Sequence, residues 1–99
     1  MNNIEWLCKW YLRTCDGYWE HQYGIEILSL DNPGWSVKIE LEETAYSQLA
    51  DLSFVVDNSA DDWVKCFIQN QCFYGIGDGS KLDRIISIFR NWITSADGQ

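Results

Sequence analysis

Trp35-Ser36-Val37-Lys38-Ile39-Glu40-Leu41 alternates apolar and polar residues without error. That is the period of a strand with one face buried. Asp31-Asn32-Pro33-Gly34 just before it reads as a turn. Pro33 and Gly34 suit the central positions of a type II turn, since proline fixes φ and glycine accepts positive φ. Tyr23 to Leu30 is strand-like, so the three pieces form a hairpin. A symmetric four-residue loop pairs Leu30 with Trp35 and Leu28 with Val37, leaving Ile25 and Ile27 on the face of Lys38 and Glu40. A bulge exchanges the faces, and the register stays open at this level.

On the N-terminal side, Ile4, Leu7, Cys8, Tyr11, Leu12 and Cys15 follow i, i+3, i+4, i+7 spacing. This predicts a helix over Asn3 to Cys15 with that stripe buried, capped by Asn2 or Asn3 and stopped at Asp16-Gly17. Trp6 and Trp10 form a second stripe, which widens the buried face or leaves an aromatic edge. With Trp92, that edge is a surface on which a homodimer can form. On the C-terminal side, Glu42 to Asp51 reads as a loop with one helical turn around Tyr46. Leu52 to Val56 is a third strand, ended by Asp57-Asn58-Ser59-Ala60-Asp61. Asp62 to Gln69 is a fourth strand and Gln71 to Ile76 a fifth, joined by a tight turn at Asn70. Val64, Cys66 and Ile68 share one face of the fourth strand while Trp63, Lys65 and Phe67 share the other, so one side of the sheet is only partly covered. Gly75-Ile76-Gly77-Asp78-Gly79 breaks the sheet pattern as a turn leading into a helix, and Ser80 with Asp83 resembles a capping box. Leu82, Ile85, Ile86, Phe89 and Ile93 make the second amphipathic helix, followed by a frayed tail from Ala96 to Gln99. The architecture is α+β, an antiparallel sheet of about five strands with a helix at each end of the chain. Residues 1–99 read as one domain.

The chain has 99 residues, of which 46% are hydrophobic and 15% aromatic, with a formal charge of −8. A core of that composition forms without metal or disulfide staples. Residues 1–15 and 63–99 each carry a slight positive balance, whereas residues 16–62 hold eleven acids against Lys38 alone. Such a field repels phosphate backbones and anionic membranes and attracts basic protein surfaces. Solubility alone is the plainer account of the same acidity. Cys8, Cys15, Cys66 and Cys72 form no C-x-x-C pair and read as buried reduced thiols. The start of the chain lacks a signal-peptide pattern, and no apolar run reaches membrane-spanning length, which points to the cytoplasm.

Chemistry finds little support. One histidine and four scattered cysteines offer none of the spaced ligand pairs of a structural zinc site. Asp57 to Asp62 lacks the glycine and distal glutamate of a calcium loop. No cofactor motif is present. The glycines before the second helix match neither phosphate-loop spacing, and Asp78 opposes a phosphate. Nucleic acid is disfavoured by charge, and no membrane contact is read. Nucleophilic catalysis has only His21 to serve as base, through Cys15 or Cys72. What remains is binding to another protein, for which Trp, Tyr and a ring of carboxylates suit a basic partner.

Asp16-Gly17-Tyr18-Trp19-Glu20-His21, then Tyr23-Gly24-Ile25 and Leu30-Asp31-Asn32-Pro33-Gly34-Trp35-Ser36-Val37, resembles the immunity protein 53 family of bacterial polymorphic toxin systems. Asp62-Trp63, Phe73-Tyr74-Gly75-Ile76-Gly77, the opening Trp6-Leu7 and Trp10-Tyr11, and the closing Ile85-Ile86, Phe89 and Trp92 continue the likeness along nearly the whole chain. Glu42 to Asp51 carries no family pattern. The resemblance implies a small cytoplasmic antidote that binds a cognate toxin, a non-catalytic role; monomer and homodimer both stay open at this level. On charge, the partner-binding candidates are Asp16, Glu20, Asp31, Glu42, Glu43, Asp57, Asp61 and Asp62, with Tyr18 and Trp19 as aromatic anchors. Core packing is the competing fate of Trp19, Trp35 and Trp63. A reading of a different class makes the protein a small enzyme or ligand-binding domain that uses Glu20 and His21 in a cleft.

Overall fold

Asn2 opens the first helix with a capping box: its side chain accepts the Glu5 N–H at 2.8 Å, and Glu5 accepts the Asn2 N–H at 3.2 Å. In a computed structural model that describes residues 1–98, this helix, α1, spans Asn3–Thr14. A four-residue helix, α2 (Trp19–Gln22), leads into β1 (Ile25–Leu30) and β2 (Gly34–Glu40). Next come β3 (Ser53–Ser59), β4 (Asp62–Gln69), β5 (Cys72–Asp78) and the long helix α3 (Leu82–Asp97). The sheet is antiparallel throughout, in the order β1-β2-β5-β4-β3. The α+β architecture with its five strands and two terminal helices is therefore the one the patterns predicted.

Several local readings change. Leu30 pairs with Gly34 and Ile27 with Val37, so the loop holds three residues and Ile25 and Ile27 share the core face of Val37 and Ile39. Gly34 already belongs to β2 and is not among the positive-φ glycines, so the type II turn does not form. Its lack of a side chain serves close packing instead, since a Cβ there would lie 2.6 Å from the Gly77 carbonyl oxygen. Asp57, Asn58 and Ser59 extend β3 past its expected end, with an irregular register between Asp57 and Ser59. Gly75 to Asp78 likewise stay in β5 rather than breaking it. Lys81, not Ser80, stands at the start of α3, and no side chain caps it. Ala96 and Asp97 are helical, and Asp97 accepts the Tyr46 hydroxyl at 2.7 Å. Gln99, the last residue of the expected frayed tail, lies outside the described residues.

The largest change is the rotation of α1. Its buried residues are Leu7 and Trp10, with Trp6 half-buried, while Ile4, Cys8, Tyr11 and Leu12 of the predicted stripe are exposed. Trp10 meets Phe89 at 5.1 Å and Trp19 at 5.8 Å edge-on, and Tyr46 at 6.3 Å with the rings tilted. Phe89 in turn contacts Phe73 of β5 at 5.0 Å. Aromatic contacts of this geometry add to plain burial, so the tryptophan stripe wins the core over the smaller one. Trp6 packs on Phe89 and Trp92 on Phe73, so the aromatic edge expected for a homodimer is spent inside. Cys66 and Cys72 are buried as predicted, whereas Cys8 is exposed and Cys15 half-buried.

One face of the sheet, carrying Val37, Ile39, Val64, Cys66 and Phe73, packs under the helices. The other carries Trp63, Lys65 and Phe67 with Tyr74 and Ile76, by the alternation of the strands. Among the described residues no helix covers it, which agrees with the partly covered side read from β4. Gly75 brings α3 down onto β5, because a Cβ there would overlap the Ile85 side chain. Gly75→Ala should lower the unfolding free energy by about 1–3 kcal/mol through overpacking. Gly79→Ala, whose Cβ would meet only Pro33 at 3.6 Å, should leave it within about 0.5 kcal/mol. Urea titration of both variants checks the pair.

Candidate functional site

The turn out of α1 is tied by two carboxylates. Asp16 accepts the Tyr18 and Trp19 N–H groups at 2.9 and 3.0 Å. Glu20 reaches back to the Asp16 and Gly17 N–H groups at 2.9 and 2.8 Å. Gly17, at φ +92°, supplies the left-handed residue that lets the chain turn there. The Trp19 and Tyr18 backbone N–H groups hold the Asp16 carboxyl below its ordinary value. Glu20 is held low by its own backbone N–H and then by those of Asp16 and Gly17, against partial desolvation. Trp19 is fully buried, its indole N–H donating to the Glu40 carbonyl at 3.2 Å. It cannot anchor a partner, and core packing is its role. Tyr18 stays exposed and meets Tyr23 edge-on at 6.1 Å. Burial, and then the Glu42 carboxylate, push the Tyr23 hydroxyl up to about 12.

The ten candidates do not form one surface. Asp16 and Glu43 line a common cleft with Arg13 and Tyr46. Tyr18, Glu20 and Glu42 sit nearby, around the start of β1. Asp31 follows β1 at its far end, roughly 20 Å away for a six-residue strand. Asp57, Asp61 and Asp62 occupy the β3–β4 hairpin at the opposite edge of the sheet. Four strand spacings, about 19 Å, separate that edge from β1. Trp35 is half-buried against the core with its N–H on the Gly79 carbonyl at 3.0 Å, as the packing reading has it. Trp63 is half-buried on the sheet's other face.

Asp78, read from the sequence only as a residue that opposes a phosphate, has a structural role. It is buried, and its carboxylate accepts from the Trp63 N–H at 2.8 Å, the Ser80 N–H at 2.8 Å and the Lys81 ammonium at 2.8 Å. Lys81 also pairs with Asp62 at 2.8 Å, which takes one candidate acid into a structural network. Lys81, first, and the Ser80 side chain hold the Asp78 carboxyl far below the usual carboxylate range. Its contacts to Ser80 and Lys81 are local, two and three residues on, whereas only the β4–β5 register brings it beside Trp63.

Glu20 and His21 are on a helical turn, not a strand. Both Glu20 oxygens are engaged by backbone N–H groups, and His21 is exposed. The groove beside β1 is lined by Glu20 but not by His21. Burial pushes the Cys66 thiol up to about 12 and Cys72 up to about 11, which removes thiolate character from both. Among the described residues, no three His, Cys, Asp or Glu side chains come together as a metal site. No described helix is long and apolar enough to cross a membrane.

The model of one family, immunity protein 53, matches residues 4–94. The chain belongs to that family. No curated protein and no solved structure matches it. The family match spans α1 through nearly all of α3, so an immunity protein of this family is built on the whole five-stranded fold rather than on the hairpin alone.

Asp78, Asp16 and Glu20 are carboxyls whose pKa is depressed on folding. Their stabilisation is therefore present above the unfolded value and is lost as pH falls through the folded one. The thermal midpoint should drop progressively from about pH 5 toward pH 2. Asp78→Asn should start lower at pH 7, by roughly 5 °C or more, and show a shallower acid limb. Thermal melts across that range check both.

Proposed function

We propose that this immunity protein is a non-catalytic antidote, acting in the cytoplasm by binding a cognate toxin of a bacterial polymorphic toxin system one-to-one. Its acidic surface masks a basic toxin face such as the substrate groove of a nuclease. The observation that carries this reading is the one-sided use of charge. Residues 16–37 hold four acids and no base. Most cations elsewhere are engaged internally: Lys38 with Glu40, Lys81 with Asp62 and Asp78, Arg84 over Phe54, and Arg90 over Trp6. Carboxylates left without partners attract a basic face and speed its approach.

Of the candidate acids, Asp31, Glu43, Asp57 and Asp61 carry carboxylates without a hydrogen-bond partner among the described residues, and the ring of Tyr18 is exposed, whereas Glu42 sits against the Tyr23 hydroxyl. Asp16, Glu20 and Asp62 add charge while holding the fold. Titration calorimetry with the toxin encoded beside this protein, at low and moderate salt, is the test. Wild type should bind tightly and weaken as salt rises. Reversing Asp31, Glu43, Asp57 and Asp61 together to Lys should raise Kd by roughly a hundredfold and flatten the salt dependence. Unchanged affinity and salt slope would remove the electrostatic mechanism. His21→Ala should protect cells as well as wild type does; lost protection with intact folding would favour the catalytic reading.

A further inference from the structure

The free edge of β1, together with the groove between it and α1, is the best-prepared docking surface on the molecule. β1 pairs with β2 through six regular positions and, among the described residues, has no partner on its other side. The Glu40 N–H donates to the Gly24 carbonyl at 3.1 Å, which sets the alternation of the ladder. Glu26, Leu28 and Leu30 therefore bond to β2, and Ile25, Ile27 and Ser29 direct N–H and C=O outward. The other sheet edge, β3, is blunted by its irregular register at Asp57 and Ser59. No bulge or proline blunts β1.

Beside this edge lies a groove of about 370 Å³ lined by Leu7, Cys8, Tyr11, Tyr23 and Ile25, with Glu20 at its rim. Ile4, one turn before Cys8, and Ile27, on the helix side of β1, remain 49% and 39% exposed. The rotation of α1 leaves this stripe, apolar enough to be read as core, without a cover.

Charge selects the occupant. The segment from Asp16 to Asp31 holds Asp16, Glu20, Glu26 and Asp31 with no base. Lys38, which faces Glu26 across the ladder, is taken by Glu40 at 3.4 Å. A second copy pairing β1 with β1 would bring two such base-free acidic segments together, Glu26 within each strand and Asp31 just beyond it, so self-association is opposed. We infer that the toxin presents an extended segment of alternating apolar and basic residues, which adds as a sixth strand to β1. Its apolar side chains enter the α1 groove and its basic ones lie on the Glu26 side. This rests on the antidote reading above and names one part of the surface that reading uses, the β1 edge, opposite the edge of Asp57 and Asp61.

Hydrogen exchange on the complex with the neighbouring toxin is the test, with Ile27→Pro and Cys8→Arg as variants. The Ile27 N–H takes no part in the β1–β2 ladder, so proline at this edge position spares the fold. Cys8→Arg, at an exposed position, places a cation in the groove without touching the backbone. The Ile25, Ile27 and Ser29 amides should exchange fast in the free protein and at least roughly tenfold more slowly in the complex. Each variant should weaken binding by roughly tenfold or more. If wild type binds while these amides gain no protection and both variants bind normally, the strand-addition proposal is wrong and the antidote reading stands. If wild type does not bind, both fall. Protection that grows with the concentration of the protein alone would identify a second copy as the occupant and overturn the proposal.

Discussion

The contact on which the fold depends is the Trp10 ring. It joins α1 to Phe89 of α3, to Trp19 of α2 and to Tyr46 of the β2–β3 connection. Phe89 passes the contact to Phe73 in the sheet. Four segments, two of them neighbours near the start of the chain and the others distant in sequence, thus meet around one side chain, and Trp10 is buried there. The glycines of β5 make this geometry available, since any side chain at Gly75 would hold α3 away from the sheet.

Choosing Trp10 has a consequence at the surface. A helix can turn only one broad face inward. With Leu7 and Trp10 inside, Ile4, Cys8 and Tyr11 must lie outside or at the margin. At β1, Ile27 faces the helix layer yet stays partly open. Packing of the core and exposure of the β1 groove are two results of one rotation.

Charge follows a similar division. Asp16, Glu20, Asp62 and Asp78 spend their oxygens on backbone N–H groups or on Lys81. Among the described residues, Asp31, Glu43, Asp57 and Asp61 do not, while Glu42 meets the Tyr23 hydroxyl. An acid that closes a turn and an acid free to meet a partner look alike in composition, and only their hydrogen bonds separate them.

What the sequence determined by itself was periodic or local: the alternation of Trp35 to Leu41, the two-faced pattern of β4, the amphipathic α3 and the excess of acids between Asp16 and Asp62. Period and charge are properties of neighbours along the chain, so they can be read without a fold. The tertiary structure decided which of two apolar stripes on α1 is buried, because both have helical spacing and only contact with Phe89 and Trp19 separates them. It decided the hairpin register, because the faces of β1 depend on whether three or four residues close the loop. It kept Gly75 to Asp78 in β5, where glycine serves close packing rather than a turn. It buried Trp19, and it set the acids at separate edges of a sheet whose strand order no local pattern encodes.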